Sequence, residues 1–204
     1  MSEFYHINKT SHCKWKVGDE ISFGEKNNYL WETFAKTNDY VSIDGEKYDV
    51  EKISYQALNA YKGLRNPPIE MKNYHFNPIG TLEETTNSLF NTIRNCRELA
   101  FEMIRKEYYN ELPSRQKCIW LIPNEKKSLE FWNKTINSKT KRIYKVSAEG
   151  KIHKAAQKWV IGGTFSLEKW FSYAHNYWQG KNVGSIEDEY LFVGKIRILE
   201  EIPI

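Results

Sequence analysis

The sequence predicts an α+β fold. Strand-like runs, long helical stripes and further strand-like runs follow one another without regular βαβ alternation, which disfavours a doubly wound parallel sheet. At 204 residues the chain is long enough for one sizeable core and short for two. Its 7 Trp, 13 Tyr and 10 Phe supply bulky surface to bury. One domain over 1–204 is therefore expected, with residues 40–80 as an irregular, hairpin-containing insertion marked by Asp44-Gly45 and Pro67-Pro68.

The first strand is Glu3-Phe4-Tyr5-His6-Ile7, aromatic and β-branched, ended by a polar loop. A second lies between Gly18 and Gly24, and residues 29–34 suit a helical turn. From Thr81 the period changes: Thr81 with Glu84 reads as a capping box, and Leu82, Leu89, Ile93, Cys96, Ala100 and Met103 recur at helical intervals as far as about residue 110. Pro113 breaks that helix, and residues 114–122 read as a buried strand stopped by Pro123. Asn124 is placed to cap a second helix carrying Leu129, Phe131, Trp132 and Ile136. Residues 143–146 are strand-like, with Gly150 as a breaker and a short helical piece at 155–160. A further helix starts at Ser166, with Leu167, Trp170, Phe171, Ala174, Tyr177 and Trp178 on one stripe and Gly180 at its C-terminal end. The last strand runs over 186–198.

No apolar run is long enough to span a bilayer and the N-terminus lacks signal-peptide character, so a cytoplasmic protein is expected. Cys13, Cys96 and Cys118 are odd in number and widely spaced, which predicts free thiols. Zinc-type ligand spacings are absent, and no metal is expected. Phosphate-loop, dinucleotide-fingerprint and nucleophile-elbow motifs are absent too.

Polar groups remain at strand ends. Alternation puts Glu187 and Glu189 on one face at the mouth of the last strand and turns Asp188 to the other, away from any shared chemistry. Ser114 and Arg115 open the middle strand, and Tyr5 and His6 lie in the first. Arg115 suits a pyrophosphate oxygen or a surface ion pair, and Ser114 either supports Glu189 or initiates the strand. Trp120, Trp170 and Trp178 read as core rather than as a stacking wall.

The ordered set of an early Phe4-Tyr5-His6-Ile7 strand, a middle Pro113-Ser114-Arg115 and a late Glu189-Tyr190-Leu191-Phe192 strand resembles the ADP-ribosyltransferase superfamily, in a poorly characterised bacterial and phage branch with toxin-like members. Tyr177-Trp178-Gln179-Gly180 adds to the likeness, which spans most of the chain. The resemblance implies a single domain with a split, mixed β core flanked by helices and NAD as substrate. It implies cleavage of the nicotinamide glycosidic bond and transfer of ADP-ribose to a macromolecule, protein or nucleic acid. Hydrolysis of NAD is the close variant. By resemblance, Glu189 stabilises the ribosyl cation, Glu187 orients or deprotonates the nucleophile, and His6 with Tyr5 holds a ribose beside Ser114 and Arg115. The Ser-Thr-Ser triplet of arginine-modifying relatives is missing, so arginine is not the indicated acceptor.

A competing expectation comes from charge. Lys141, Arg142, Lys145, Lys151 and Lys154 belong to a basic stretch over 139–158 interleaved with Tyr144 and followed by Trp159, a composition that fits either a solvated edge or a nucleic-acid-binding module. A degenerate fold member acting through protein contacts is the third expectation.

Overall fold

The computed structural model describes residues 2–9, 14–29, 31–32, 40–43, 46–50, 53–55, 58, 78–138, 140–161, 163 and 165–203. The α+β class is observed. The chain divides into two units, Met1–Glu32 with Arg97–Ile204, and Thr33–Cys96.

The first unit is built on five strands: β1 (Ser2–Asn8), β2 (Glu20–Phe23), β5 (Ile119–Pro123), β6 (Arg142–Ala155) and β7 (Glu189–Ile202). Their order is β2-β7-β5-β1-β6, and a further β6–β7 ladder closes β7, β5, β1 and β6 on one another, with β2 outside that ring on β7. The resemblance implies a mixed sheet, but every ladder among the described residues is antiparallel.

Closure explains the core. Facing residues share a side, and Phe4, Ile119, Leu121, Tyr144, Val146, Phe192, Ile196 and Ile198 form one buried cluster within the ring of strands. Outside it, Phe101, Ile104, Cys118, Ala174, Tyr177, Trp178 and Leu191 make a second cluster with the helices. Ile7, Ile122 and Ile143 pack with Leu129, Trp132 and Ile136 in a third.

Three boundaries differ from expectation. Gly150 does not end β6; it sits opposite Gly194 in a ladder that continues to Ala155. A Cβ on Gly150 would lie 2.3 Å from the Val193 carbonyl oxygen and 2.8 Å from Gly194 Cα, so the absent side chains permit the close strand crossing. The 155–160 helical piece shrinks to a 3-10 turn, Gln157–Trp159. β5 starts at Ile119 rather than residue 114, because Ser114 to Cys118 forms a turn closed by Lys117 N–H and Cys118 N–H donating to the Ser114 carbonyl at 3.1 and 2.9 Å.

Among the described residues three long helices accompany the strands: α1 (Pro78–Tyr108), α2 (Lys126–Thr135) and α3 (Leu167–Trp178). Proline suits the first position of α1, since its missing N–H would have no helical partner there. Thr81 therefore falls inside the helix and does not cap it. Toward its C-terminal end α1 buries Glu98, Ala100, Phe101, Glu102, Ile104 and Arg105 and exposes Leu99 and Met103, so part of the stripe expected from apolar spacing is displaced by paired charges. Residue Glu125, not Asn124, precedes α2 and makes no side-chain cap; Asn124 instead donates to Glu3 at 3.2 Å. Ser166 does cap α3, accepting from Lys169 N–H at 3.3 Å, and Gly180 follows with φ 64°.

In the second unit, β3 (Tyr40–Ile43) pairs antiparallel with β4 (Glu46–Asp49), Ile43 facing Glu46, and Asp44-Gly45 lies outside the described residues. Ser54 Oγ donates to the Val50 carbonyl at 2.6 Å and meets Thr85 Oγ1. Pro67-Pro68 lies outside the described residues. Cys96 and Cys118 are free, and Cys13 lies outside the described residues. No helix among the described residues is long and apolar enough to cross a membrane.

Candidate active site

The middle motif becomes a turn that aims Arg115 into the helical side of the strands. Asn28 fastens that turn, donating to the carbonyls of Arg115 and Cys118 at 2.7 and 3.0 Å and accepting from Trp31 N–H at 3.0 Å. Arg115 is buried, only 6% exposed, so its charge needs partners. Its Nε and Nη2 donate to the two oxygens of Glu98 at 2.8 and 3.3 Å, and Nη1 donates to Glu189 Oε2 and to the Tyr177 hydroxyl. Tyr177 in turn donates to Glu189 Oε2 at 2.7 Å. Arg97 adds a second cation at 2.9 Å from Glu98.

This set is electrically balanced: Arg97 and Arg115 against Glu98 and Glu189. Burial opposes charge on Arg115, but Glu189 and Glu98 outweigh it and hold its pKa well above the ordinary guanidinium value. The same burial opposes ionisation of Glu98, and the Arg115 charge overcomes it, keeping that carboxyl below the usual range. Tyr177 goes the other way: burial and the Glu189 charge keep its phenol protonated, as its donor role requires.

The late motif is only partly as expected. β7 begins at Glu189; Glu187 precedes it, exposed, with its N–H on Ser185 Oγ at 3.2 Å, so the two do not form a same-face pair on a strand. Asp188, expected only to face away from Glu189, is the more buried neighbour, 2% exposed. Its Oδ2 accepts the N–H groups of Gly184 and Ser185, the latter at 3.1 Å, and meets Lys154 Nζ at 3.2 Å.

His6 faces inward. It lies opposite Tyr144 of the inner cluster, stacks on Trp15 with ring centroids 5.0 Å apart, and its Nδ1 is 2.9 Å from the Trp120 carbonyl. A carbonyl only accepts, so Nδ1 carries the proton and Nε2 is left as an acceptor. Burial pulls the imidazole pKa down to about 4. Tyr5 faces the outer side, opposite Ile122. Glu189 shares its side with Leu191 of the outer cluster, so His6 and Glu189 stand on opposite faces of the sheet. The expected single-faced His6, Ser114 and Glu189 site is not assembled. Ser114 supports Glu102 instead, donating at 3.0 Å beside the Glu102–Arg105 ion pair.

The basic stretch is largely spent. Lys141 donates to the Asn133 and Ile136 carbonyls, and Arg142, Lys145 and Lys154 pair with Glu201, Glu3 and Asp188. Lys151 is exposed. Trp170 and Trp178 are buried, in keeping with core packing, and Trp178 donates to the Phe101 carbonyl at 2.8 Å. Glu98, Tyr177, Asn28 and Lys154 with Asp188 are the partners that sequence reasoning missed. For Glu98 a signal existed: it and Glu102 are one helical turn apart, flanking the buried Phe101.

A family model described as "Protein of unknown function (DUF2441)" matches residues 4–203. The chain belongs to the DUF2441 family. No curated protein matches it. The Arg115–Glu189 network and the inward His6 both lie in the DUF2441 region. Among the described residues of this DUF2441 chain, no group of three or more His, Cys, Asp and Glu side chains is arranged to hold a metal.

Proposed function

We propose that this chain is an NAD-consuming ADP-ribosyltransferase that cleaves the nicotinamide glycosidic bond and passes ADP-ribose to a macromolecule, or to water in the hydrolytic variant. The observation that supports this reading most is strand adjacency. The early strand β1 and the late strand β7 both neighbour β5, which follows the middle-motif turn, in the order β7-β5-β1, with Tyr190 opposite Leu121 and Ile122 opposite Tyr5. At ordinary strand spacing the outer two are about 10 Å apart, and because His6 and Glu189 face opposite sides of the sheet, one dinucleotide engages both only by passing the strand ends.

In this reading the neutral His6 accepts a ribose hydroxyl at Nε2. Arg115 is paired with Glu98 and Glu189 rather than with pyrophosphate, and with Tyr177 it holds Glu189 in place as the catalytic carboxylate at the start of β7. Cleavage sends the bonding electrons to nicotinamide and leaves a ribosyl cation, which the Glu189 carboxylate stabilises until the acceptor attacks. The test is incubation with NAD labelled in its ADP-ribose portion, offered with protein, DNA and RNA. Nicotinamide release is expected, with label on an acceptor or free as ADP-ribose. No release from fully folded protein would sink the reading.

A second reading, a fold member that acts through protein contacts without turnover, is favoured by the balanced Arg115–Glu189 pair, which leaves that carboxylate little unspent charge. The same assay separates the two. Nucleic-acid binding through 139–158 is the weaker alternative, because Lys141, Arg142 and Lys145 already have protein partners.

A further inference from the structure

We infer that Lys154 and Asp188, at the mouth of β7, form a subsite for a ribosyl phosphate, the cation taking the phosphate and the carboxylate a sugar hydroxyl. This rests on the NAD-consuming reading. It names residues which that reading leaves unassigned.

Asp188 is an unusual buried carboxylate. Three donors converge on Oδ2, two loop N–H groups and the Lys154 ammonium, whereas Oδ1 is buried with no hydrogen-bond partner among the described residues. A buried acceptor without a donor is costly, and the cost is removed when a ligand donor reaches it. The residue is also on the right side. Lys154 faces Tyr190 in the β6–β7 ladder, with Nζ 5.3 Å from the Tyr190 ring centroid, and Tyr190 packs on the inner cluster that His6 joins through Tyr144.

Access runs through the lysine. Its side chain is 37% exposed against 1% for Asp188, so the ion pair has one wet and one dry partner. An anion arriving from solvent meets the ammonium first. Drawing Nζ toward phosphate weakens the 3.2 Å contact and leaves the carboxylate seeking another donor. A molecule with a phosphate and a neighbouring hydroxyl satisfies both groups; a bare anion satisfies one.

Two variants and two probes test this. Asp188→Asn keeps a carbonyl oxygen for the Gly184 and Ser185 N–H groups but presents an amide donor where Oδ1 accepts. Lys154→Gln removes the cation from a partly exposed position. By calorimetry, wild type is expected to bind ADP-ribose and, more weakly, inorganic pyrophosphate. Asp188→Asn should weaken ADP-ribose about tenfold or more and leave pyrophosphate within twofold, whereas Lys154→Gln should weaken both about tenfold. A structural role alone would not separate the two ligands. Wild-type affinity for ADP-ribose in Asp188→Asn overturns the subsite, as does binding of neither probe by wild type. Should Asp188→Asn fail to fold, unchanged binding of both probes by Lys154→Gln overturns it equally. If wild type releases nicotinamide from NAD while these variants bind normally, only the subsite fails. If it neither binds nor cleaves, the NAD reading fails with it.

Discussion

Replacing Arg115 by Met removes a guanidinium that has no solvent to fall back on. Its side chain and that of Glu98 are each 6% exposed, and Glu189 is 9% exposed. The variant leaves Glu189 with the Tyr177 hydroxyl and Glu98 with Arg97. Breaking a buried pair by deleting one partner costs about 3–5 kcal/mol, and here one deletion strips two carboxylates, which places the loss at the upper end of that range. With a urea slope of about 2 kcal/mol per molar, the unfolding midpoint at pH 7 should fall by about 2 M. The pH dependence sharpens the test. In wild type the folded pKa of Glu98 is depressed, so its contribution is full above the unfolded carboxyl value of 4.5 and is lost as pH falls through the folded value. In the variant the lowering by Arg115 is gone while burial still opposes the Glu98 charge, so the folded state takes up a proton on Glu98 more readily and the penalty eases on acidification. Urea titrations followed by tryptophan fluorescence at pH 7 and pH 5 should therefore show the gap narrowing at the lower pH. A gap below about 1 kcal/mol at pH 7, or one that does not change with pH, would refute buried ion pairing as the basis of this network.

Gly150→Ala should destabilise the first unit by about 1–3 kcal/mol, because the new methyl group meets backbone rather than a yielding side chain; a thermal midpoint equal to wild type would count against the close crossing of β6 and β7. The His6 imidazole should remain neutral until the pH approaches about 4. Since its folded pKa lies below the unfolded 6.5, its contribution to stability is present above pH 6.5 and drains away as pH falls through that window. NMR titration of the ring resonances checks this, and a midpoint near 6.5 would show that the ring is solvated.

Hydrophobic periodicity and turn residues were enough to place most elements. The first and last strands, the helix capped by Ser166 and the interruption after Pro113 follow from local preferences that act within a few residues. Glu189, Arg115 and His6 also stand out by residue type and order. Their partnerships do not. Arg115 and Glu189 are 74 positions apart, and Arg115 and Tyr177 are 62 apart, so their meeting depends on strand register and on how a helix packs, not on any local spacing.

Alternation explains the deepest difference. A period of two tells which residues of one strand share a side, but not which side is the interior of a closed ring of strands. That choice belongs to the whole ring: it turned His6 inward and Glu189 toward the helices, and it buried Asp188 against Lys154. The α+β class and the residues capable of chemistry were therefore determined by the sequence alone. Which of them face one another was decided only when β6 paired with β7, because burial then required every inward charge to find a partner from a distant part of the chain.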